Sequence, residues 1–323
     1  MFTAKDIEYR SVFVINCLEN RALRVSNGNL LLEDVDEKKT LTKLPFQKIL
    51  ALFVIGHITL TTPLIDQCTK NGIPVVVMKP NFRPVFFFSI TAEANFLLRK
   101  RQFETDKNDL NLPRILVTNK LENQLRLLNK SRLKTPSFEK ARIHIRGAIE
   151  QVFTATDYDT IMGLEGRAAK SFFNTYFEKL DWKARCPRTR IDPINATLDI
   201  GYTILFNYIE VFIRLFGFDP YIGVYHRLWF KRKSLVCDLM EPFRCLVDHQ
   251  VLKAFNMGKC KNEDFKLYQN EFLLKHEKNS DYTRMFFEML IEQKVTIFKY
   301  IRDYYRCFMR NSDPSFYPKF IIT

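Results

Sequence analysis

The chain has 323 residues, 46% of them hydrophobic, enough to bury a sizeable core in one large domain or two modest ones; a disordered chain and a stapled mini-protein are both excluded. Fifty Lys and Arg against 36 Asp and Glu leave a net charge of +14, which favours nucleic acid or another anionic partner. The most apolar stretch, Ile200 to Tyr225, is broken by Glu210, Arg214 and Asp219, so no membrane span is expected, and the N-terminus lacks the apolar segment of a secretion signal, so a cytoplasmic protein is expected.

Short β-rich runs fill the first ninety residues: Ser11 to Ile15, Leu23 to Ser26, Asn29 to Glu33 and Ile49 to Val54, separated by turn signals such as Ser26-Asn27-Gly28-Asn29. Thr62 followed by Pro63 predicts a helix start and Asn71-Gly72 its end, ahead of strands at Val75 to Met78 and Val85 to Ile90. After Thr91 the apolar spacing turns helical and stays so, with a loop at Thr105 to Pro113 and a tail from Asn311 to Thr323. The fold class read from this is α+β: a small N-terminal β-rich domain over residues 1–90 and a larger all-α domain over residues 91–323.

Charge follows the same division. Residues 1–90 carry 11 basic and 8 acidic side chains, or +3, which leaves 39 and 28, or +11, for residues 91–323. The densest basic stretch, Arg114 to Arg146, includes Lys120, Lys134 and Arg142 and reads as a nucleic-acid backbone surface or a solvated helix face. The seven cysteines are odd in number and never spaced C-x-x-C, against both a disulfide framework and a zinc site.

Two constellations carry chemistry. Gly163-Leu164-Glu165-Gly166 opens a segment with apolar residues at helical spacing, which places Glu165 in a first turn, where the helix dipole would stabilise its charge, and brackets it with residues that let a ligand approach. Further on, Asp219-Pro220-Tyr221-Ile222-Gly223-Val224-Tyr225-His226 leads into a basic run (Arg227, Lys231, Arg232, Lys233) and then into a helix capped by Ser234. There Asp238 and Glu241, three apart, can face one point. Carboxylates with an imidazole suit magnesium or manganese better than zinc, and a basic run beside them suits phosphodiester chemistry.

At these residues the sequence resembles the CRISPR-associated spacer-acquisition integrases. The likeness runs through LRVSNGNLLLE, LPFQKILALFVIGHITLTTPLIDQCTKNGIPVVV, GLEGRAAKSFF, RIDPINATLDIGYTIL and FGFDPYIGVYH…SLVCDLMEPFR. It implies an N-terminal domain that homodimerises and a helical catalytic domain. Two such dimers would flank a dimer of a small second adaptation protein in a heterohexamer. The implied activity is a Mg2+- or Mn2+-dependent endonuclease and integrase, in which the 3′-hydroxyl of a short duplex with 3′-overhangs attacks a phosphodiester of the repeat array. By the same resemblance Glu165, His226 and Glu241 are the metal ligands, Asp238 is an auxiliary acid near them, and Arg185, Arg188 and Arg190 are close to DNA. Two rivals from other classes stand beside this reading. One is a non-catalytic architectural DNA-binding protein, which has no need for Glu165, His226 and Glu241 to converge; the other is a helical RNA-binding protein, suggested by the 14% aromatic content.

Overall fold

The computed structural model describes residues 3–17, 19–89, 95–106, 108–133, 135–180 and 182–323. A one-and-a-half-turn helix α1 (Ala4–Tyr9), capped by Thr3, precedes the β-rich part: β1 (Ser11–Cys17), β2 (Arg21–Ser26), β3 (Asn29–Asp34), β4 (Lys39–Pro45), β5 (Ile49–Gly56), α2 (Thr62–Lys70), β6 (Val75–Met78) and β7 (Pro84–Phe88). Strands β2, β3 and β4 form an antiparallel meander whose first turn is Asn27-Gly28, both at positive φ, as two-residue hairpin turns require. The other sheet has the order β1-β5-β6-β7, with β1, β5 and β6 parallel and β7 antiparallel on the edge. The sequence anticipates β6 and the end of α2, but not α1 or β4. Ile90 and the domain boundary at 90/91 lie outside the described residues.

Strand β5, ILALFVIG, is buried along its whole length, which explains its unbroken apolar run where a half-exposed strand would alternate. One face of its sheet packs with the meander and α2 through Leu23, Leu30, Leu52, Val54 and Leu64. The other face, through Ala51, Phe53 and Ile55, joins the core of the helical part. Phe53 sits there between Tyr208 and Phe287 at ring separations of 6.0 and 5.0 Å. Full burial of such a side chain contributes about 1.5–3 kcal/mol, so the two parts share a hydrophobic interface.

The helical part contains α3 (Phe96–Glu104), α4 (Asn111–Lys130), α5 (Pro136–Thr154), α6 (Tyr158–Tyr176), α7 (Pro193–Leu215), α8 (Ser234–Met240), α9 (Arg244–Asn256), α10 (Asn279–Glu292) and α11 (Lys294–Arg310). Helix α7 is the axis of this part. It is long and apolar enough by composition to cross a bilayer, yet 83% of its most apolar window is buried among the other helices, as for the core helix of a globular protein. One expectation needs correction here. Residues 91–323 are not all-α: β8 (Phe265–Tyr268) and β9 (Glu271–Leu274) form a hairpin whose four-residue strands are too short to announce a period of two. The tail at 311–323 is docked on the helical part. Phe320 and Ile322 are buried, and their backbone amides donate to Asn119 and Asn123 of α4 at 2.8 and 2.9 Å.

Candidate active site

Helix α6 begins at Tyr158, where Asp157 caps it by accepting from the Thr160 amide at 2.8 Å. Glu165 is therefore two turns into the helix and not in its first turn, beyond the reach of the dipole's positive end. Its charge is met instead by side chains: Lys120 of α4 donates to Oε1, and the Tyr225 hydroxyl donates to Oε2 at 2.5 Å. Of the two flanking glycines, Gly166 bears on access. It lines the cavity described below, and a Cβ there would meet nothing within 4 Å, so that side of Glu165 is open to a ligand.

Glu241 follows the last residue of α8 and starts a 3-10 turn that Pro242 helps to set. Its carboxylate is buried, 3% exposed, and faces Arg244 Nε at 2.8 Å and Lys120 Nζ at 2.6 Å. Lys120 thus meets Oε2 and Arg244 meets Oε1, so both oxygens of this buried carboxylate face a cation. Burial opposes the Glu241 charge, but Arg244 and Lys120 outweigh it and hold the carboxyl well below the usual range. Lys120 is likewise penalised by burial, and the two glutamates more than compensate, raising its pKa. One ammonium thus bridges carboxylates from α6 and from the end of α8.

Asp238 and Glu241 do not face one point. Asp238 is fully buried and turned toward the loop before α8: Oδ2 accepts from the amides of Val224 at 2.6 Å and Tyr225 at 3.1 Å, and Oδ1 from the His226 amide at 2.8 Å and His226 Nδ1 at 2.7 Å. Four donors leave it little capacity for a metal. What it does is orient the imidazole: with Nδ1–H directed to Asp238, Nε2 carries the lone pair. The fit around it is tight, since a Cβ on Gly223 would lie 2.4 Å from Asp238 Oδ2 and 2.8 Å from the Ser234 carbonyl carbon. Ser234 begins α8 without capping it, and its hydroxyl donates to the Arg227 carbonyl at 3.2 Å.

Glu165, His226, Glu241 and Lys120 line one cavity of about 830 Å³, together with Arg185, Arg188, Arg190, Tyr202, Arg244 and Asp248. The guanidiniums of Arg244 and Arg185 lie over the Tyr202 ring at 4.6 and 5.4 Å, and its hydroxyl donates to Asp248. Burial pushes the Asp248 carboxyl up to about 7, against the pull of that hydrogen bond and of the neighbouring cations.

The basic residues singled out in the sequence divide by what they touch. Arg185 is largely taken up within the fold, donating to Asn195 Oδ1 at 2.9 Å and pairing with Asp199 at 2.6 Å, which ties the segment before α7 to that helix. The Arg188 amide donates to the same Asp199, and its exposed side chain lines the cavity; Arg190 stands 3.9 Å from Glu271. Arg227 lies over the Tyr158 ring at 4.4 Å and Lys231 over Phe230 at 5.1 Å, while exposed Arg232 reaches back to Cys237. Lys233 differs from the rest. Its ammonium pairs at 2.7 Å with fully buried Glu210, which Arg214 also holds, so it serves the fold and not a solvent-facing strand. In the stretch from Arg114 to Arg146, Arg126, Lys130, Arg132, Lys140 and Arg146 are exposed, Arg142 is buried against the Leu128 carbonyl, and Lys134 lies outside the described residues.

Lys120, Tyr225, Arg244 and Asp248 were not legible as site residues. Lys120 stood in the basic stretch as one charge among nine, and its only distinguishing signal was its place among the apolar residues of α4.

The model of the family CRISPR associated protein Cas1 matches residues 17–288. The chain belongs to the Cas1 family. It is similar to the CRISPR-associated endonuclease Cas1 1 of Thermodesulfovibrio yellowstonii, with 29% identity over 233 residues, covering 69% of this chain and 73% of that relative. Among solved structures it shares its fold with a chain of a Cas6-RT-Cas1–Cas2 complex (TM-score 0.80, 21% identity, 97% of this chain) and with a casposase bound to integration product (TM-score 0.77, 18% identity, covering 96% of this chain and 94% of that one). It spans 36% of the former chain. The β-rich N-terminal part followed by a helical part is the Cas1 arrangement.

Proposed function

We propose that this Cas1 protein is a divalent-metal-dependent DNA endonuclease and integrase that inserts short DNA fragments into a CRISPR repeat array. The observation that carries the reading is the bridging of Glu165 and Glu241 by one cation, in a cavity that also holds an Asp-oriented imidazole and several arginines. Among the described residues no three His, Cys, Asp or Glu side chains are drawn together as a ready ion cage. The donor set nevertheless fits a hard divalent ion: two carboxylates already gathered on one positive charge, and an imidazole that Asp238 orients.

In this reading Glu165, Glu241 and His226 Nε2 hold Mg2+ or Mn2+, and Asp238 acts through His226. When bound, the ion supplies Lewis acidity at a phosphoryl oxygen and lowers the pKa of an attacking hydroxyl. Arg244 keeps Glu241 ionised in a buried place, and Tyr225 fixes the second oxygen of Glu165. Arg188 and Arg190 at the cavity wall hold the strand near the scissile phosphate. Attack by a 3′-hydroxyl exchanges one phosphodiester for another and needs no external energy source; water in its place gives a nick. The names of the fold neighbours, a Cas1–Cas2 complex and a casposase on its product, support a small Cas2-type partner and duplex DNA. A homodimer formed through the β-rich residues 1–90, two of which flank a Cas2-type dimer, completes the proposal.

The test is strand transfer from a labelled duplex with 3′-overhangs into a supercoiled plasmid carrying a repeat array, with Mn2+ or Mg2+, with and without the small partner. Joined product that disappears with chelator and in Glu165→Gln is expected. Tight DNA binding with neither joining nor nicking under any metal would leave an architectural protein in its place.

A further inference from the structure

Lys120 holds the position that a shared cation would take: it donates to Glu165 Oε1, lies 2.6 Å from Glu241 Oε2, and is itself about nine-tenths buried. Both carboxylates need a positive charge between them, because two buried anions facing one cavity repel strongly at low effective dielectric. A lysine ammonium answers that need differently from a metal ion. It is a monovalent point charge on a flexible stem, able to swing on four carbons without any change in the backbone. The cavity beside it gives the displaced head somewhere to go.

Resting on the metal-site reading above, we propose that Lys120 is a tethered cation that keeps Glu165 and Glu241 gathered before metal binds and must leave them for a divalent ion to enter. The site is therefore held closed by internal competition, and the displaced ammonium becomes a surface of the cavity that faces a phosphate. A lysine that only oriented the ligands would remain on the carboxylates, and its removal would weaken metal binding. The two roles predict opposite signs.

The experiment is Mn2+ binding to the full chain, followed by the electron paramagnetic resonance signal of free Mn2+, for the native protein, Lys120→Met and Glu165→Gln. Removal of a competing charge at this distance should tighten Mn2+ binding of Lys120→Met by about tenfold or more; unchanged or weaker binding overturns the proposal. Glu165→Gln separates the two claims: if it leaves Mn2+ binding untouched, the metal-site reading itself fails and the proposal with it. Should Lys120→Met not fold, acylation of the native protein by an N-hydroxysuccinimide ester, read by mass spectrometry and normalised to exposed Lys70, gives an independent answer. Lys120 should be protected without Mn2+ and become reactive at saturating Mn2+, whereas protection that does not change with Mn2+ contradicts displacement.

Discussion

The imidazole Nδ1 of His226 lies 2.7 Å from Asp238 Oδ1, and the same carboxylate accepts the backbone amides of Val224, Tyr225 and His226. One buried acid therefore sets both the path of the loop before α8 and the ring orientation at its end. Replacement by Asn keeps the shape but places an amide donor among donors. Asp238→Asn should cost about 2–4 kcal/mol of stability and lower strand transfer by about 10–100-fold, with metal affinity reduced alongside. A variant with native stability and native transfer rate would show that His226 needs no such partner.

Two glycines near the site should respond differently. A methyl on Gly223 would run into Asp238 and the backbone of Ser234, whereas one on Gly166 meets open space. Gly223→Ala is expected to lower stability by about 1–3 kcal/mol through forced displacement. Gly166→Ala should melt at or slightly above the native temperature, because Ala is the better residue inside α6, while impairing DNA joining, since the added methyl stands where a ligand approaches Glu165. Thermal melts and joining assays on the pair check this; equal melting temperatures for the two variants would contradict the packing described at Gly223.

Asp248 provides a dependence on pH whose sign is fixed. Its folded pKa of about 7 lies above the ordinary 3.8, so the folded protein retains a proton that the unfolded chain gives up. The stability linked to that proton is complete below about pH 4 and is lost as pH rises through about 7. Relative to Asp248→Asn, the native protein should lose about 2–4 kcal/mol between pH 4 and pH 7.5. Denaturant unfolding of both proteins across that range tests it, and a difference that stays constant with pH removes the assignment.

The basic residues separate by experiment as they do by contact. Lys233→Ala leaves buried Glu210 to Arg214 alone and should appear as lost stability, about 1–3 kcal/mol, with DNA affinity little changed at matched salt. Arg188→Ala should leave stability intact, weaken duplex binding and reduce the salt dependence of binding by about one unit of slope. Exchange of these outcomes between the two variants would reverse the assignment.

Much of the architecture was legible because its signals are local. The buried run ILALFVIG, the Asn27-Gly28 turn and the Pro63 and Gly72 boundaries of α2 each carry their structure in a few neighbouring residues. The hairpin β8–β9 and the docked segment around Phe320 were not, since four-residue strands show no period and the docking depends on Asn119 and Asn123, some two hundred residues earlier. At the site, Glu165, His226 and Glu241 were found through motif resemblance, and the structure places all three on one cavity. The roles of their neighbours escaped for a physical reason. Spacing on a helix indicates that Asp238 and Glu241 share neighbours, but Asp238 is taken up by the amides of the loop before α8 and Glu241 by Lys120 and Arg244, partners that lie far away in sequence or outside the helix pattern. Lys120 acquires its meaning only when α4 meets α6 and the end of α8.

The central claim, that two glutamates and one histidine from separated segments hold a single divalent ion, is tested most directly by crystals of the protein soaked in Mn2+ and measured at the manganese absorption edge. The account predicts one anomalous peak in the cavity, bonded to Glu165, Glu241 and His226 Nε2 at about 2.0–2.3 Å, with the Lys120 ammonium moved off the carboxylates. A cavity with no peak, or with a peak bound to other residues while Lys120 still bridges Glu165 and Glu241, would contradict it.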